Sequence, residues 1–441
     1  MKYILSLLFF ISLSLGAAYA QMNKIEFVEY TLDNGLHVIL SQDRSTPIVA
    51  VTMSYHVGSK NEKPGRTGFA HFFEHLLFEG SENIDRGQID KYIQNAGGAL
   101  NAFTTQDRTV YFEILPSNQI NLGLWIESER MLHAKVDIKG VETQREVVKE
   151  EKRQRYDNRP YGTVLLEALS HSFKKHPYQW SPIGSMDDLN AAEESDFKQF
   201  YKDFYVPNNA VLSISGDLDI ESTKMMIDLY FKDIPRSEKP VFRPSIVEPE
   251  LTGEVRDTIY DNIQLPAVIQ SYRIPAQGTP DFYAVSLLST LLADGPSSRL
   301  SKALVDEQQK ALFVGNFPLS LEDPSISIAF GIASMGVDVT DLEAAMDAEV
   351  ARVQNELIDD REFQKLKNKI ENDFILDNSG VQNRAATLAN YHLFFGDANL
   401  INTEIDKYLA VSKEDIQRVA KKYFSKDNRA TLHYLPKGDK L

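Results

Sequence analysis

The sequence predicts an α+β protein made of two homologous domains, each consisting of a β-sheet covered by a layer of helices. Three observations support this prediction. Alternating strands and amphipathic helices recur in both halves of the chain. A helix–turn–strand segment that begins at Asp196 is repeated at Asp415. Between the halves, the charged stretch 235–253 is rich in proline, which predicts an extended linker.

The repeated segment indicates an internal duplication. Each copy combines an amphipathic helix, an asparagine-containing turn and a strand, and a constant offset aligns Asp196 with Asp415, Phe200 with Val419, Phe204 with Tyr423 and Asn209 with Asn428. Chance similarity is the alternative explanation. The offset is close to half of the chain and the linker lies between the copies, which favours duplication. We therefore predict domains at 21–234 and 254–441.

Within the first half, the elements follow from periodicity and turn residues. The sequence Asp33-Asn34-Gly35 between two alternating segments is a strong hairpin signal. The predicted strands are Val28–Leu32, His37–Ser41, Ile48–Val57, Ala99–Thr104 and Thr109–Leu115. The predicted helices are Phe69–Gly80, Gln88–Asn95, Ile120–Ala134, Val141–Tyr156 and Val164–Lys174. This mixture predicts a sheet with helices stacked on one side.

The N-terminus resembles an export signal. Lys2 precedes an apolar run from Tyr3 to Leu15, and small residues up to Ala20 provide a cleavage site. The run is too short for the roughly 20 residues of a membrane span, which argues against an uncleaved anchor. We predict that residues 1–20 are a signal peptide, that no membrane span remains after cleavage, and that the protein is exported to the periplasm. The signal alone would equally permit secretion.

Composition excludes several classes of function. The chain has 441 residues and a formal net charge of −16, which disfavours a nucleic-acid partner. It contains no cysteine, so thiol nucleophiles, disulfides and thiolate metal ligands are excluded. Any metal ion must therefore be bound by histidines and carboxylates.

A metal-binding pattern occurs at His71-Phe72-Phe73-Glu74-His75. Residues four apart on a helix share one face, so both imidazoles can reach a single zinc ion. Glu74 lies on the same side, in a position that suits a general base. The order His-x-x-Glu-His is the inverzincin signature. The alternative is a pair of exposed or capping histidines, but the apolar neighbours predict a buried helix, where unliganded polar groups would be costly.

A third ligand must come from elsewhere in the chain. The helical segment 144–153 is dense in glutamates, and Glu146, Glu150 and Glu151 are its acidic residues. A solvated face carrying ion pairs is the simpler interpretation of such a segment taken alone. Spacing does not choose between Glu150 and Glu151.

The chain resembles the pitrilysin/insulinase family of inverted-zincin metallopeptidases, in particular its branch of short subunits similar to the mitochondrial processing peptidase. The similarity extends from Phe27 to the C-terminus. It implies one Zn²⁺ per chain, bound by His71, His75 and Glu151. Gln144 stands where many members carry an additional glutamate, which places the electrostatic tuning of the site in question.

The resemblance also implies substrate-binding residues. Asn101, Ala102 and Phe103 match the edge strand to which a substrate peptide adds as a further strand. Arg384 and Tyr391, two turns apart on a predicted helix, match a pair that holds substrate carbonyl groups. The alternatives are an ordinary strand, a surface arginine and a core tyrosine. The other histidines lack the paired spacing and are not assigned to a metal.

Together these features predict a zinc endopeptidase that cleaves peptides or unfolded polypeptides, with Glu74 as the catalytic base. The resemblance implies bowl-shaped halves that enclose a chamber, closed by a homodimer or by a related second subunit. A non-catalytic assembly or chaperone-like subunit of the same fold is the alternative. It is disfavoured because the complete ligand set is present in the sequence.

Overall fold

The computed structural model describes residues 24–439, so the predicted signal peptide 1–20 lies outside the described residues. Two β-sheets dominate the part that is described. Within residues 24–439, no helix is long and apolar enough to cross a membrane.

The first sheet has six strands in the order β1-β2-β6-β3-β5-β4. The strand β6 comes last along the chain but inserts between β2 and β3, parallel to β2 and antiparallel to β3. The strand β4 is an edge strand. The strands are β1 (Val28–Thr31), β2 (His37–Gln42), β3 (Ile48–Tyr55), β4 (Ala99–Thr104), β5 (Thr109–Pro116) and β6 (Ala210–Gly216).

The second sheet has five strands in the order β7-β11-β8-β10-β9. As in the first sheet, its last strand along the chain inserts beside the first, in parallel, and pairs antiparallel with the next. Except for β1, the two topologies are the same, which confirms the predicted pair of homologous α+β domains. The strands are β7 (Val255–Asp261), β8 (Ala267–Ile274), β9 (Ala311–Pro318), β10 (Ser325–Ala333) and β11 (Arg429–Pro436).

Fourteen α-helices accompany the sheets within residues 24–439. Those before the second sheet are α1 (Phe69–Leu76), α2 (Ile89–Asn95), α3 (Ile120–Leu132), α4 (Ile138–Lys152), α5 (Val164–Ser172), α6 (Met186–Ala191), α7 (Glu194–Phe204) and α8 (Ile220–Phe231). Those of the second half are α9 (Pro280–Ala293), α10 (Val339–Asn355), α11 (Asp360–Asp377), α12 (Val381–Phe395), α13 (Leu400–Ala410) and α14 (Lys413–Tyr423). No helix or strand lies between α8 and β7, where the linker was predicted.

The duplication extends to individual hydrogen bonds. The ends of α14 follow those of α7 by the same offset, 413 − 194 = 423 − 204 = 219 residues. After α7, the side-chain amide of Asn209 donates to the carbonyl of Phe204 at 2.8 Å. After α14, the amide of Asn428 donates to the carbonyl of Tyr423, also at 2.8 Å. The asparagine in each turn therefore closes its helix in the same way.

Two helices are exchanged between the halves, an arrangement that periodicity did not predict. Ala168 and Leu169 of α5 pack against Ile269 and other residues of the second sheet. In return, α12 packs on the first sheet, where its Leu388 contacts the cluster containing Val211. The helix predicted at 164–174 thus does not join the helical layer of its own half.

A buried lysine also connects the halves. Lys60 Nζ lies 3.0 Å from Asp107 in the first half, and 2.5 Å from Glu322 and 3.1 Å from Asp323 in the second. His56 lies 3.0 Å from the same Glu322 carboxylate. The carboxylates compensate the cost of burying the ammonium group.

Helix ends differ from prediction where local geometry overrides periodicity. The predicted helix 69–80 ends at Leu76 instead, and the chain turns before Gly80, whose φ of 119° requires glycine. The helix predicted at 141–156 begins earlier because Asp137 caps it, accepting from the Gly140 amide at 2.7 Å. It continues past Lys152 as one π-helical turn.

Candidate metal centre

The helix α1 presents two histidines on one face. The ring centroids of His71 and His75 lie 4.8 Å apart. On the other side of α1, Phe69 and Phe73 stack on Phe197 and Phe200 of α7, at 4.6 and 5.5 Å between centroids. This aromatic packing fixes the helix against the core, so its polar face is held in one orientation.

The start of α1 is held by a buried carboxylate. Glu62 accepts hydrogen bonds from the backbone amides of Gly68 and Ala70, both at 2.9 Å. These amides have no partner within the helix, and a carboxylate also interacts favourably with the positive end of the helix dipole. Glu62 was not predicted from the sequence, because it precedes the helix by more than the usual capping distance.

A carboxylate from α4 completes the cluster. Glu151 Oε2 lies 3.1 Å from His75 Nε2 and 3.6 Å from His71 Nε2. Zinc–ligand distances of about 2.0–2.2 Å in a tetrahedron place neighbouring ligand atoms about 3.3 Å apart. The two imidazole nitrogens and the carboxylate therefore fit one zinc ion.

The neighbouring glutamate points elsewhere. Glu150 is exposed and accepts hydrogen bonds from Arg153 at 3.1 Å and from Gln154 at 2.9 Å. Adjacent residues of a helix are about 100° apart, so only one of the two can face α1. The structure brings Glu151, and not Glu150, to the histidines.

Burial and neighbouring charges favour the protonation states that a metal ion requires. Burial lowers the pKa of His71 to about 4, so its imidazole is neutral at pH 7. Burial alone would raise the pKa of Glu151, but its contacts with His75 and His71 outweigh this effect and lower it. A neutral imidazole and an ionised carboxylate are the forms that bind zinc.

Glu74 lies beside the cluster and contacts strand β4. The hydroxyl of Thr104 donates to Glu74 Oε2 at 2.7 Å. Burial raises the pKa of Glu74 above its ordinary value. A raised pKa brings a carboxylate closer to the range in which it can both accept and release a proton near neutral pH.

Two contacts of the site were missed in the sequence. Thr104 is the last residue of the strand that was predicted to bind substrate, and its side chain contacts Glu74. Because side chains alternate along a strand, Thr104 lies on the same face as Ala102, and the sequence could have shown this. Arg155 lies 2.7 Å from Glu151 Oε1, a helical i,i+4 pair that spacing alone could have suggested. Thr104 links the edge strand to Glu74, and Arg155 pairs with the Glu151 oxygen that does not face the histidines.

Gln144, noted as a departure from the family, contacts a glutamate next to α1. Its amide nitrogen donates to Glu79 Oε1 at 2.5 Å, and Arg86 pairs with the same side chain. Gln144 is therefore part of a polar contact between α4 and the segment that follows α1.

The predicted substrate strand is the free edge of the first sheet. Asn101 is exposed, Ala102 is buried against the core and Phe103 is half-buried. The amide of Ala102 is partnered by its neighbour's side chain, Asn101 Oδ1, at 2.9 Å. Phe103 faces a cavity of about 410 Å³ that Tyr391 also lines.

Arg384 and Tyr391 are not brought to the metal cluster. Both lie on α12, which packs on the face of the first sheet opposite α1. Arg384 pairs with Asp43 at 2.8 Å, and the buried hydroxyl of Tyr391 donates to Glu404. Their proposed contact with substrate stays a prediction.

Comparison with known proteins agrees with this architecture. A family profile described as "Insulinase (Peptidase family M16)" matches residues 37–183, and one described as "Peptidase M16 inactive domain" matches residues 192–370. The chain is 31% identical over 440 residues to "Zinc protease PqqE" of Helicobacter pylori, covering 98% of each protein. A probable mitochondrial-processing peptidase subunit beta of Schizosaccharomyces pombe is 23% identical over 311 residues, covering 67% of each.

Solved structures share the fold. A protease from Helicobacter pylori superposes with a TM-score of 0.90 at 29% identity, covering 93% of this chain and all of that one. The first half of the periplasmic protease PqqL from Escherichia coli gives 0.75 at 19% identity, covering 95% and 93%. The chain belongs to the pitrilysin/insulinase family, peptidase family M16, and several of its relatives are named zinc proteases.

Proposed function

We propose that this protein is a zinc endopeptidase that hydrolyses peptides or unfolded polypeptides. The observation that carries the proposal is the placement of Glu151 Oε2 at 3.1 and 3.6 Å from the two imidazole nitrogens of α1. In this proposal His71, His75 and Glu151 hold one Zn²⁺ per chain. All of them lie within residues 37–183, before the region matched by the profile of the inactive domain.

Glu74 is the proposed general base. When bound, zinc supplies the Lewis-acid and water-activating chemistry of catalytic zinc sites. Thr104 donates to Glu74 Oε2 and orients the carboxylate, and Oε1, which lacks this hydrogen bond, is the proposed acceptor of a proton from the attacking water. The raised pKa of Glu74 then allows it to release the proton to the leaving amine.

The substrate is proposed to add to strand β4 as a further antiparallel or parallel strand. The free edge of β4 offers backbone hydrogen-bonding groups to any extended peptide, independent of its sequence. Thr104, at the end of this strand, contacts Glu74, so a peptide paired with β4 runs past the base. Asn101 must release the Ala102 amide for that pairing.

We further propose that two chains pair to enclose the substrate, either as a homodimer or with a related subunit, after export to the periplasm. The chain covers 48% of the full-length periplasmic protease PqqL, so that protein contains about two such lengths in one polypeptide. This ratio supports pairing of two copies, and the description of PqqL as periplasmic supports the proposed location.

Chelation and reconstitution test the proposal. Mature protein is incubated with an unstructured peptide carrying a fluorophore and a quencher at opposite ends. We expect cleavage that a chelator abolishes and that stoichiometric zinc restores. Protein that binds zinc at this site but cleaves no member of a diverse peptide library would instead support the non-catalytic subunit.

A further inference from the structure

A second cluster of two imidazoles and one carboxylate lies where β1 and β2 meet α12. Glu29 belongs to β1, His37 to β2 and His392 to α12. His37 Nε2 lies 3.0 Å from Glu29 Oε2, and His392 Nδ1 lies 3.7 Å from the same oxygen. Each of the three residues offers a ligand atom within 4.8 Å of the others.

This cluster has the same donor set and nearly the same spacing as the candidate metal centre. There, one carboxylate oxygen lies 3.1 and 3.6 Å from two imidazole nitrogens. Here the corresponding distances are 3.0 and 3.7 Å. We propose that Glu29, His37 and His392 form a second metal site, which binds a divalent transition ion such as Zn²⁺.

The surroundings prepare both histidines to act as ligands. His37 Nδ1 lies 3.0 Å from the Thr31 hydroxyl, a contact that fixes the ring and leaves Nε2 toward Glu29. Buried His392 Nδ1 has no hydrogen-bond partner within residues 24–439. A buried polar atom without a partner is costly, and a metal ion would satisfy it. Burial lowers the pKa of both histidines, so their neutral forms prevail at pH 7.

One ring must move for both to bind the same ion. The imidazoles of His37 and His392 stack with centroids 3.3 Å apart and planes 6° from parallel. Because each lone pair lies in its ring plane, a shared ion requires the rings to tilt toward each other. His392 is the ring that can tilt without breaking a hydrogen bond at Nδ1. Glu29 is exposed, so water can complete the coordination.

The position of the site gives it a structural role. The strands β1 and β2 belong to the first half of the chain, and α12 is the helix that the second half contributes to the first sheet. An ion held by all three residues would fasten α12 to the edge of that sheet. Binding to the folded chain alone would then stabilise the packing of the two halves.

Zinc stoichiometry of the full mature chain tests this proposal. By equilibrium dialysis against micromolar free zinc followed by metal analysis, we expect about two ions in the wild type and about one in His392→Gln. Glu29→Gln should also bind about one ion. Because Glu29 is exposed, this second variant keeps the test valid even if His392→Gln misfolds. The matched control is His171→Gln, which removes a histidine outside both clusters that lies 3.0 Å from Asp257 and 3.6 Å from Glu167, and it should leave the stoichiometry unchanged.

A second measurement separates the two sites. In Glu151→Gln, which removes a ligand of the candidate metal centre, added zinc should still raise the melting temperature, and Co²⁺ should give a visible absorption band. Both effects should disappear in the double variant Glu151→Gln/His392→Gln. Equal zinc content in wild type, Glu29→Gln and His392→Gln, or no zinc-dependent shift in Glu151→Gln, would show that the cluster is only hydrogen-bonded and would overturn the proposal.

Discussion

The sharpest test of the proposed chemistry is the substitution Glu74→Gln. The amide oxygen of glutamine can still accept the hydrogen bond that Thr104 donates at 2.7 Å, so the contact between α1 and β4 is retained. The side chain keeps its size and loses only its charge and its capacity to accept a proton. Because burial already raises the pKa of Glu74, a neutral group at this position imposes no additional cost on folding.

The size of the effect follows from the role proposed for Glu74. General-base catalysis contributes about 10²- to 10⁴-fold to rate, which corresponds to about 3–5 kcal/mol of activation free energy. We expect kcat to fall by that factor in Glu74→Gln. Zinc content and melting temperature should stay close to wild type, because the three proposed ligands are untouched.

The assay combines peptide cleavage with metal analysis on the same preparation. Thr104→Val serves as a companion variant, since it removes the hydrogen bond to Glu74 but keeps the carboxylate. It should lower kcat less than Glu74→Gln does. Turnover of Glu74→Gln within a few-fold of wild type, with contaminating protease excluded, would refute the assignment of Glu74 as the base.

Three further predictions concern the ligand, the substrate contacts and acid stability. Glu151→Gln should weaken zinc binding by more than the roughly 10–100-fold typical of outer-shell losses, whereas exposed Glu150→Gln should not, as measured by competition titration. Arg384→Lys and Tyr391→Phe should each lower kcat/KM, on the order of a hundredfold, if they position substrate; unchanged kinetics with a lower melting temperature would assign them to packing. The histidine and lysine that contact Glu322 outweigh its burial and lower its pKa to about 2. Its stabilisation, about 3 kcal/mol at most, is present above its ordinary value of 4.5 and is lost as pH falls toward 2. In urea titrations over that pH range, the free energy of unfolding should therefore fall less steeply for Glu322→Gln than for the wild type. The same dependence on pH in both proteins would contradict this account.

Local elements and the duplication could be predicted from the sequence, because they depend on short-range patterns. The strand Ala99–Thr104 has its predicted bounds, and Asn209 and Asn428 occupy equivalent turns, as the repeat predicted. The exchange of α5 and α12 could not be predicted. An amphipathic helix carries an apolar face whichever sheet covers it, so periodicity alone does not identify the partner.

The candidate site also has a part that could be predicted from the sequence and a part that could not. His71, Glu74 and His75 share one helix, so their arrangement follows from helical geometry. Choosing Glu151 over Glu150 required the resemblance to a family, because both residues satisfy the spacing. The cluster of Glu29, His37 and His392 was invisible in the sequence, since it forms only when α12 reaches the first sheet.

The helix exchange makes the candidate metal centre depend on both halves of the chain. The apolar side chains of Ile39 and Val211 face α12, whereas α1 packs on the other face of the same sheet. Burying one such side chain contributes about 1.5–3 kcal/mol, and a whole domain is stable by only about 5–15 kcal/mol. Removing α12 would therefore expose enough of the first sheet to loosen the support of α1, although α12 contributes none of the residues His71, Glu74, His75 and Glu151 of the candidate metal centre. The second half of the chain has no His-x-x-Glu-His pattern of its own. It is nevertheless needed to stabilise the first half, which carries that pattern.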